Sequence, residues 1–253
     1  MIIRVVKVGG NQLDSPEWLA RLAGALARLH PLVVVHGGGK AVDRLSSQFG
    51  LPVEKHEGLR VTSPETAAVV EMVLAGPANR AVVAGLRRAG VDAVGLAGVD
   101  GGLLTARRVG LDYVGEVAAV RSGLVESLLL AGLTPVIAPV APAADGDHIP
   151  LNVNADHAAA AIAGALRADE LLFVSDVPGV TVGAVPQPVV ATSEIEPLVA
   201  GGVATGGMAA KLRAAAQALE AGVRAVRIGD LGMFESATAG TRLLAAAPSP
   251  QPA

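Results

Sequence analysis

Pro31-Leu32-Val33-Val34-Val35-His36-Gly37-Gly38-Gly39-Lys40-Ala41-Val42-Asp43 is an apolar run that stops in three glycines and resumes with helical spacing. The pattern predicts a buried strand that passes into a helix through an anion-binding turn. Three consecutive glycines give the backbone conformations closed to other residues and let a ligand approach the main chain. The N–H groups at the start of the following helix would then face outward, unpaired, toward a negative charge. The turn is no Walker A loop, since Ala41 stands where the metal-binding Ser or Thr belongs and no glycine sits at the required spacing. It also fails the G-x-G-x-x-G dinucleotide pattern. A glycine cluster after a strand is as often a tight turn as a phosphate cradle, so the rest of the chain must decide.

Upstream, residues 2–8 are continuous and β-branched, the mark of a strand covered on both faces, and they run into Lys7-Val8-Gly9-Gly10. Ser15-Pro16-Glu17 supplies an N-cap, a first-turn proline and an early acid for a helix over 18–29. Strand, helix, strand, helix within 50 residues predicts a parallel sheet built from right-handed crossovers.

Downstream, residues 51–61 read as a small exposed hairpin carrying Glu57-Gly58-Leu59-Arg60-Val61-Thr62. Ser63-Pro64-Glu65 opens an apolar helix over 66–75 that suits a core or a subunit interface, and a second helix over 78–88 leads to a strand at 93–96. Residues 103–120 read as antiparallel strands turning at Gly110-Leu111-Asp112. A helix over 124–130 with Gly132 as C-cap, a strand at 135–138 and a turn at 143–147 follow. Leu151-Asn152-Val153-Asn154-Ala155-Asp156 then leads into a small-residue helix over 158–166. The C-terminal third reads as a buried strand at 171–176, a loop at Val177-Pro178-Gly179, a short hairpin over 181–190 and a short helix from Ser193 to Gly201-Gly202. A long helix from Gly206-Gly207-Met208 through Glu220, a last core strand at 225–228 and a disordered tail over 245–253 complete it.

At 253 residues the chain can bury a substantial core, and one domain over 1–244 with two lobes, about 1–165 and about 166–244, is the expectation. Aromatic residues are only 2%, so the core must be aliphatic; a net charge of −3 with no basic tract gives no reason to expect nucleic-acid binding. The absence of cysteine excludes disulfides, thiolate metal sites and cysteine nucleophiles. Arg4 and Lys7 interrupt the first apolar stretch, which argues against a signal peptide. The uncharged window at 127–144 is long enough to raise a membrane-span question, but Gly132, Pro135, Pro139 and Pro142 break it. A soluble cytoplasmic protein with no membrane partner is the expectation.

Lys7 ends a buried strand before a glycine pair, Lys211 lies near a helix start after another, and Asp156 opens an alanine-rich helix. Each alone has a plain reading: strand-end lysines are solvated, and Asp at a helix start is a cap. In parallel α/β sheets, however, the ligand crevice lies at the carboxyl ends of the strands, where all these turns gather. Two ammonium groups, several helix N-termini and one carboxylate suit phosphoryl transfer, which needs in-line positioning and positive charge more than covalent help. His36, at a strand end beside the glycines, reads as structural. His157 beside Asp156, and His148 beside Asp145 and Asp147, have no third convergent ligand and read as polar turns, so no protein-held metal is expected. Asp112 and Glu116 read as hairpin surface.

Eight segments in order resemble acetylglutamate kinase, within the amino acid kinase superfamily. They are Lys7-Val8-Gly9-Gly10, His36-Gly37-Gly38-Gly39, Gly58-Leu59-Arg60-Val61-Thr62, Gly115-Glu116-Val117, Asn152-Val153-Asn154-Ala155-Asp156, Ser175-Asp176-Val177-Pro178-Gly179, Gly206-Gly207-Met208 with Lys211, and Gly240-Thr241-Arg242. The resemblance runs from Ile3 to about Arg242. It implies a three-layer α/β sandwich around a mainly parallel central sheet, with an N-terminal acyl-substrate lobe and a C-terminal nucleotide lobe. It implies ATP-dependent phosphorylation of the side-chain carboxylate of N-acetyl-L-glutamate, the second step of arginine synthesis by the acetylated route. Lys7 and Lys211 would stabilise the transition state, and Asp156 would organise them. Gly9, Gly10, Gly37, Gly38 and Gly39 would offer backbone N–H groups to the phosphoryl group and the acyl substrate. Arg60, Asn152 and Asn154 would hold that substrate, a guanidinium fork being suited to a carboxylate. The nucleotide would lie over Ser175, Asp176, Val177, Pro178, Gly179 and Thr181 and near Val203, Thr205, Gly207 and Met208, with Mg2+ held mainly by phosphates and water.

Ala209-Ala210 departs from the bulkier residues usual in the family before the lysine, and the hairpin after Val180 is short. Arginine-inhibited members carry an extra N-terminal helix that links dimers into a hexamer, whereas strand one here begins at Ile2, so a homodimer insensitive to arginine is the expectation. A rival reading is a lysine-route kinase acting on aminoadipate borne by a carrier protein; the mixed charges of Glu54, Lys55, His56 and Glu57 offer no basic docking patch for it. A catalytically dead amino-acid sensor would be expected to lose Lys7, Asp156 or Lys211, and all three are present.

Overall fold

The computed structural model describes residues 2–56, 59–110, 112–183 and 185–245; Met1, Glu57, Gly58, Leu111, Ala184 and the tail from 246 lie outside the described residues. The first unit is β1 (Arg4–Val8), α1 (Pro16–Leu26), β2 (Leu32–His36) and α2 (Gly39–Gln48), with Ser15 Oγ accepting from the Trp18 N–H to cap α1. A hairpin of β3 (Lys55–His56) and β4 (Leu59–Arg60) precedes α3 (Pro64–Val73), α4 (Asn79–Arg88) and β5 (Ala93–Ala97). Next come β6 (Leu104–Arg108), β7 (Val114–Val120), α5 (Ser122–Leu130), β8 (Thr134–Ala138), β9 (Val140–Ala141), β10 (Leu151–Val153) and α6 (Ala155–Ala165). The C-terminal part holds β11 (Glu170–Val174), β12 (Thr181–Val182), β13 (Val185–Pro186), β14 (Val189–Ala191), α7 (Ile195–Ala200), α8 (Gly206–Glu220), β15 (Ala225–Gly229) and β16 (Thr241–Leu244).

Eight strands form the central sheet in the order β14-β16-β15-β11-β1-β2-β8-β5. All neighbours pair in parallel except β15 and β16. The four strands drawn from residues 170–244 therefore make one half, and the four from residues 4–138 the other, meeting where β1 pairs with β11. Side chains alternate across a strand. Val5, Val33, Val35, Leu171 and Phe173 join the core shared with α6 and α8, and Val6, Val8, Val34, Leu172 and Val174 the core shared with α1, α3 and α4. Helices thus cover both faces, and Lys7, with the parity of Val5, falls on the α6 and α8 side.

Two expected elements change. Residues 181–190 are not one hairpin: β12 and β13 form it, and β14 is the edge strand of the central sheet. Nor is the strand at 225–229 the last, because β16 returns antiparallel beside it. Residues 103–120 do pair antiparallel, as β6 and β7, but in a separate four-stranded sheet with β10 and β9. Helix α6 starts at Ala155, three residues before the expected 158, because the side chain of Asn154 caps it.

One helical stretch, Pro64–Arg88, is long and apolar enough to cross a membrane by composition, with a mean hydropathy of 1.3. It is not one straight helix: Gly76 leaves helical geometry at φ −95°, ψ −115°, ahead of Pro77. Val69, Val70, Val73, Val82 and Leu86 from its two halves are buried against the sheet.

Candidate active site

The carboxyl ends of β1, β2 and β11 bring the glycine turns together. The Gly9 N–H donates to the Val174 carbonyl (3.3 Å) and the Gly37 N–H to that of Val8 (3.0 Å). A Cβ on Gly10 would stand 2.4 Å from the Gly38 nitrogen and 2.6 Å from its Cα, so the two turns touch and only glycine fits. Beside them opens a cavity of about 430 Å³ lined by Gly10, Gly37, Gly38 and Gly39, by Lys7, Asp156 and Lys211, and by Arg60, Asn152 and Asn154.

Asp156, in the first turn of α6, stands between two lysines: Lys7 Nζ is 2.9 Å from Oδ1 and Lys211 Nζ 3.5 Å from Oδ2. All three residues are buried. Burial pushes the Asp156 carboxyl up, but the charges of Lys7 and Lys211 outweigh it and hold the group below the usual carboxylate range. Burial pushes the Lys211 ammonium down, the Lys7 charge adds to this, and Asp156 opposes it, leaving Lys211 below its ordinary value. Two cations and one anion give the pocket a net positive charge, the environment an incoming polyanion needs.

Arg60 is buried at the end of β4. Its Nη2 donates to the Gly39 carbonyl (3.2 Å) and to Asp43 Oδ1, while Nη1 has no partner among the described residues. Burial pushes the Asp43 carboxyl up, and hydrogen bonds from Arg60 and Lys55 more than offset it, so Asp43 stays ionised. Asn152 Nδ2 donates to Thr62 Oγ1 (3.2 Å). Asn154 spends its Oδ1 on the N–H groups of Asp156 (2.8 Å) and His157 (3.2 Å), so it shapes the site as the cap of α6.

The expected nucleotide residues are placed less closely. Gly207 lines the cavity; Ser175, Asp176, Val177, Pro178, Gly179, Thr181, Val203, Thr205 and Met208 do not. They form the open loop after β11 and the start of α8, with Asp176 near enough for its charge to raise Lys211. Thr241 anchors that loop, its Oγ1 accepting from the Val180 N–H (2.8 Å) and donating to the Gln187 carbonyl (2.6 Å). Among the described residues no group of three His, Asp or Glu side chains converges to hold a metal.

Three contributors escape a reading of the sequence. Asp43 holds Arg60, Lys55 lines the cavity, and Asn79 contacts His36. The available signal was spacing: Asp43 lies four residues after Gly39, on the same helix face as the turn.

The profile of the amino acid kinase family matches residues 3–230. The acetylglutamate kinase of Chloroflexus aurantiacus is 46% identical over 243 residues, covering 93% of this chain and 95% of the relative. That of Methanopyrus kandleri is 46% identical over 247 residues, covering 92% and 97%. A crystal structure of smu.665 from Streptococcus mutans is 32% identical and superposes with a TM-score of 0.80, covering 90% of this chain and 94% of that one. With its glycine turns, paired lysines and shared aspartate on such a sheet, this chain belongs to the amino acid kinase family, among its acetylglutamate kinases.

Proposed function

We propose that this enzyme transfers the γ-phosphoryl group of ATP to the side-chain carboxylate of N-acetyl-L-glutamate, giving N-acetyl-L-glutamyl 5-phosphate and ADP in arginine biosynthesis. The observation that carries the reading is Asp156 held between Lys7 and Lys211 in a cavity walled by the glycine turns. The acyl carboxylate is ionised at neutral pH and attacks phosphorus directly, so no general base is required. Lys7 and Lys211 offset the charge that develops on the transferring group, and Asp156 fixes the spacing between them. The Nη1 of Arg60, without a partner among the described residues, takes the α-carboxylate, Asn152 the amide end, and the backbone N–H groups of Gly10, Gly38 and Gly39 the phosphoryl and carboxylate oxygens. The adenine nucleotide lies over the loop from Ser175 to Thr181 and the start of α8. Mg2+ comes with the ATP phosphates, which suits a site whose one buried carboxylate is already engaged by two lysines.

The chain is one domain whose two lobes share the central sheet, and it works in the cytoplasm as a homodimer. Support for pairing comes from the stretch from α3 to α4: only 39% of the apolar window within Pro64–Arg88 is buried, and Met72 of α3 is 54% exposed. Met72→Glu should convert a dimer to a monomer in sedimentation; an unchanged dimer would place the interface elsewhere.

The reaction is tested by hydroxylamine trapping of acyl phosphate with MgATP and, in parallel, N-acetyl-L-glutamate, L-glutamate and N-acetyl-aminoadipate. Hydroxamate is expected from N-acetyl-L-glutamate alone. Silence with all three would overturn the substrate assignment and return attention to a carrier-borne acyl group.

A further inference from the structure

His36 is fully buried at the end of β2, directly before the glycine turn, and the phosphoryl transfer described above gives it no task. Its two ring nitrogens are both engaged: Nδ1 lies 3.0 Å from the Gly37 carbonyl oxygen, and Nε2 lies 3.1 Å from Nδ2 of Asn79 on α4. Asn79, also fully buried, directs that same Nδ2 at the carbonyls of Val136 (2.9 Å) and Leu96 (3.4 Å). Turning the amide over would set its oxygen against those two carbonyl oxygens, so the NH2 end must face His36. Nε2 is therefore an acceptor, and the imidazole proton belongs on Nδ1, from which it donates to the Gly37 carbonyl. Burial pushes His36 down to about 4, against the effect of the Gly37 hydrogen bond and with that of the Lys7 charge, so the ring stays neutral with this single tautomer.

The sheet is built to admit the pair. A Cβ on Gly95, inside β5, would stand 2.0 Å from Asn79 Oδ1. Glycine within a strand is unfavourable by itself; here its missing side chain is the space the amide occupies. The consequence reaches the site through one peptide plane. The Gly37–Gly38 bond is trans, so its carbonyl and the Gly38 N–H point in opposite directions. A carbonyl held toward the buried imidazole leaves the N–H facing away from it, and Gly37 and Gly38 both line the cavity. Three glycines in succession have wide conformational freedom, and a donor aimed at developing charge is effective only when it is held in advance.

We propose that Asn79 and His36 are positioning residues, a buried relay that fixes the Gly37–Gly38 peptide and aims the Gly38 N–H at the anionic oxygens of the reacting groups. The inference rests on reading the cavity as the phosphoryl-transfer site. It is tested on the full chain by comparing His36→Leu, which fills the space without a donor, with His36→Asn, whose amide N–H can stand where Nδ1 stands. His36→Leu should lower kcat by about a hundredfold, with both KM values within about twofold and a lowered melting temperature, because the Gly37 carbonyl and the Asn79 amide lose a partner. His36→Asn should recover most of that loss. Wild-type kcat in His36→Leu, or equal losses in both variants that follow a lowered melting temperature, would overturn the relay. The Gly38 amide resonance in a 15N-labelled protein reads the same device without activity: displaced in His36→Leu and in Asn79→Ala, retained in His36→Asn. An unmoved resonance in all three would also overturn it, whereas absence of acyl phosphate from the wild-type chain would overturn the functional reading alone.

Discussion

Asp156 makes function and stability pull against each other within three side chains. Lys7 and Lys211 are both buried against one carboxylate, so the cluster carries an excess positive charge that the fold must tolerate. Lys211→Met leaves a neutral Lys7–Asp156 pair and should raise the melting temperature while lowering kcat by about a hundredfold to a thousandfold. Asp156→Asn leaves two buried ammonium groups with no counter-charge and should lose the activity and also about 3–5 kcal/mol of stability. Urea unfolding of the two variants checks the opposite signs. The pH dependence follows from the same groups. Lys211 lies below its ordinary 10.5 in the folded chain, so kcat should begin to fall on the alkaline side before pH 10.5, and Lys211→Arg should move that limb upward. Because this folded value is depressed, the charged lysine opposes folding at neutral pH, and that opposition fades as pH rises from the folded value toward 10.5. Asp156 has the other sign: its stabilisation is present above 3.8 and is lost as pH falls through its lower folded value. These three residues were legible in the sequence because charged side chains beside glycine turns are uncommon on buried strands and helices. Asp43 and Asn79 were not, since an Asp or Asn inside a helix looks like surface until the neighbouring elements are placed.

Elements bring the turns together, and their contact is where the fold is least tolerant. Gly10→Ala would drive a methyl group into the Gly38 backbone, and backbone cannot give way as a long side chain can. The substitution should cost about 1–3 kcal/mol through overpacking and, by separating the turns, remove most of kcat. Gly39→Ala is the control. A Cβ there meets nothing within 4 Å, so its melting temperature should stay near wild type. Equal melting temperatures for the two variants would show that the turns are not in contact. The strand–turn–helix units of the N-terminal half were readable because runs such as residues 32–35 are uniformly apolar and their helices open with Ser-Pro or glycine. The edge of the sheet was not. β14 has three residues, follows Pro186 and Pro188, and earns its place only by pairing with β16, whose partner β15 lies across a long loop. Thr241 shows the same limit: Gly240-Thr241-Arg242 stood out as a family segment, but its work of tying Val180 to Gln187 is a tertiary fact.

At the scale of the whole molecule, the cavity draws on both halves of one sheet, with the glycine turns and Arg60 from one and Gly206, Gly207 and Lys211 from the other, while the open loop after β11 lies on the second half alone. β1 and β11 are paired over five residues in register, Arg4↔Glu170 to Val8↔Val174, and Val5, Val6, Val8, Leu171, Leu172, Phe173 and Val174 are buried there. A boundary made of central strands cannot open without exposing apolar surface from both halves, so the two halves should unfold together. Calorimetry should show a single transition whose van't Hoff and calorimetric enthalpies agree per cooperative unit. A ligand bound on either half should then move that one transition. N-acetyl-L-glutamate at about 100 times its Kd contributes about 2.7 kcal/mol, and for a chain of this size each kcal/mol is about 2–4 °C, so a rise of about 5–10 °C is expected. A non-hydrolysable ATP analogue at the same multiple of its own Kd should produce a similar rise. Arg60→Ala should abolish the first shift at that ligand concentration and leave the second, because Arg60 lines the cavity and the residues of the loop after β11 do not. Two resolved transitions, each moved by only one ligand, would show that the paired strands do not couple the two halves and that these are independent folding units.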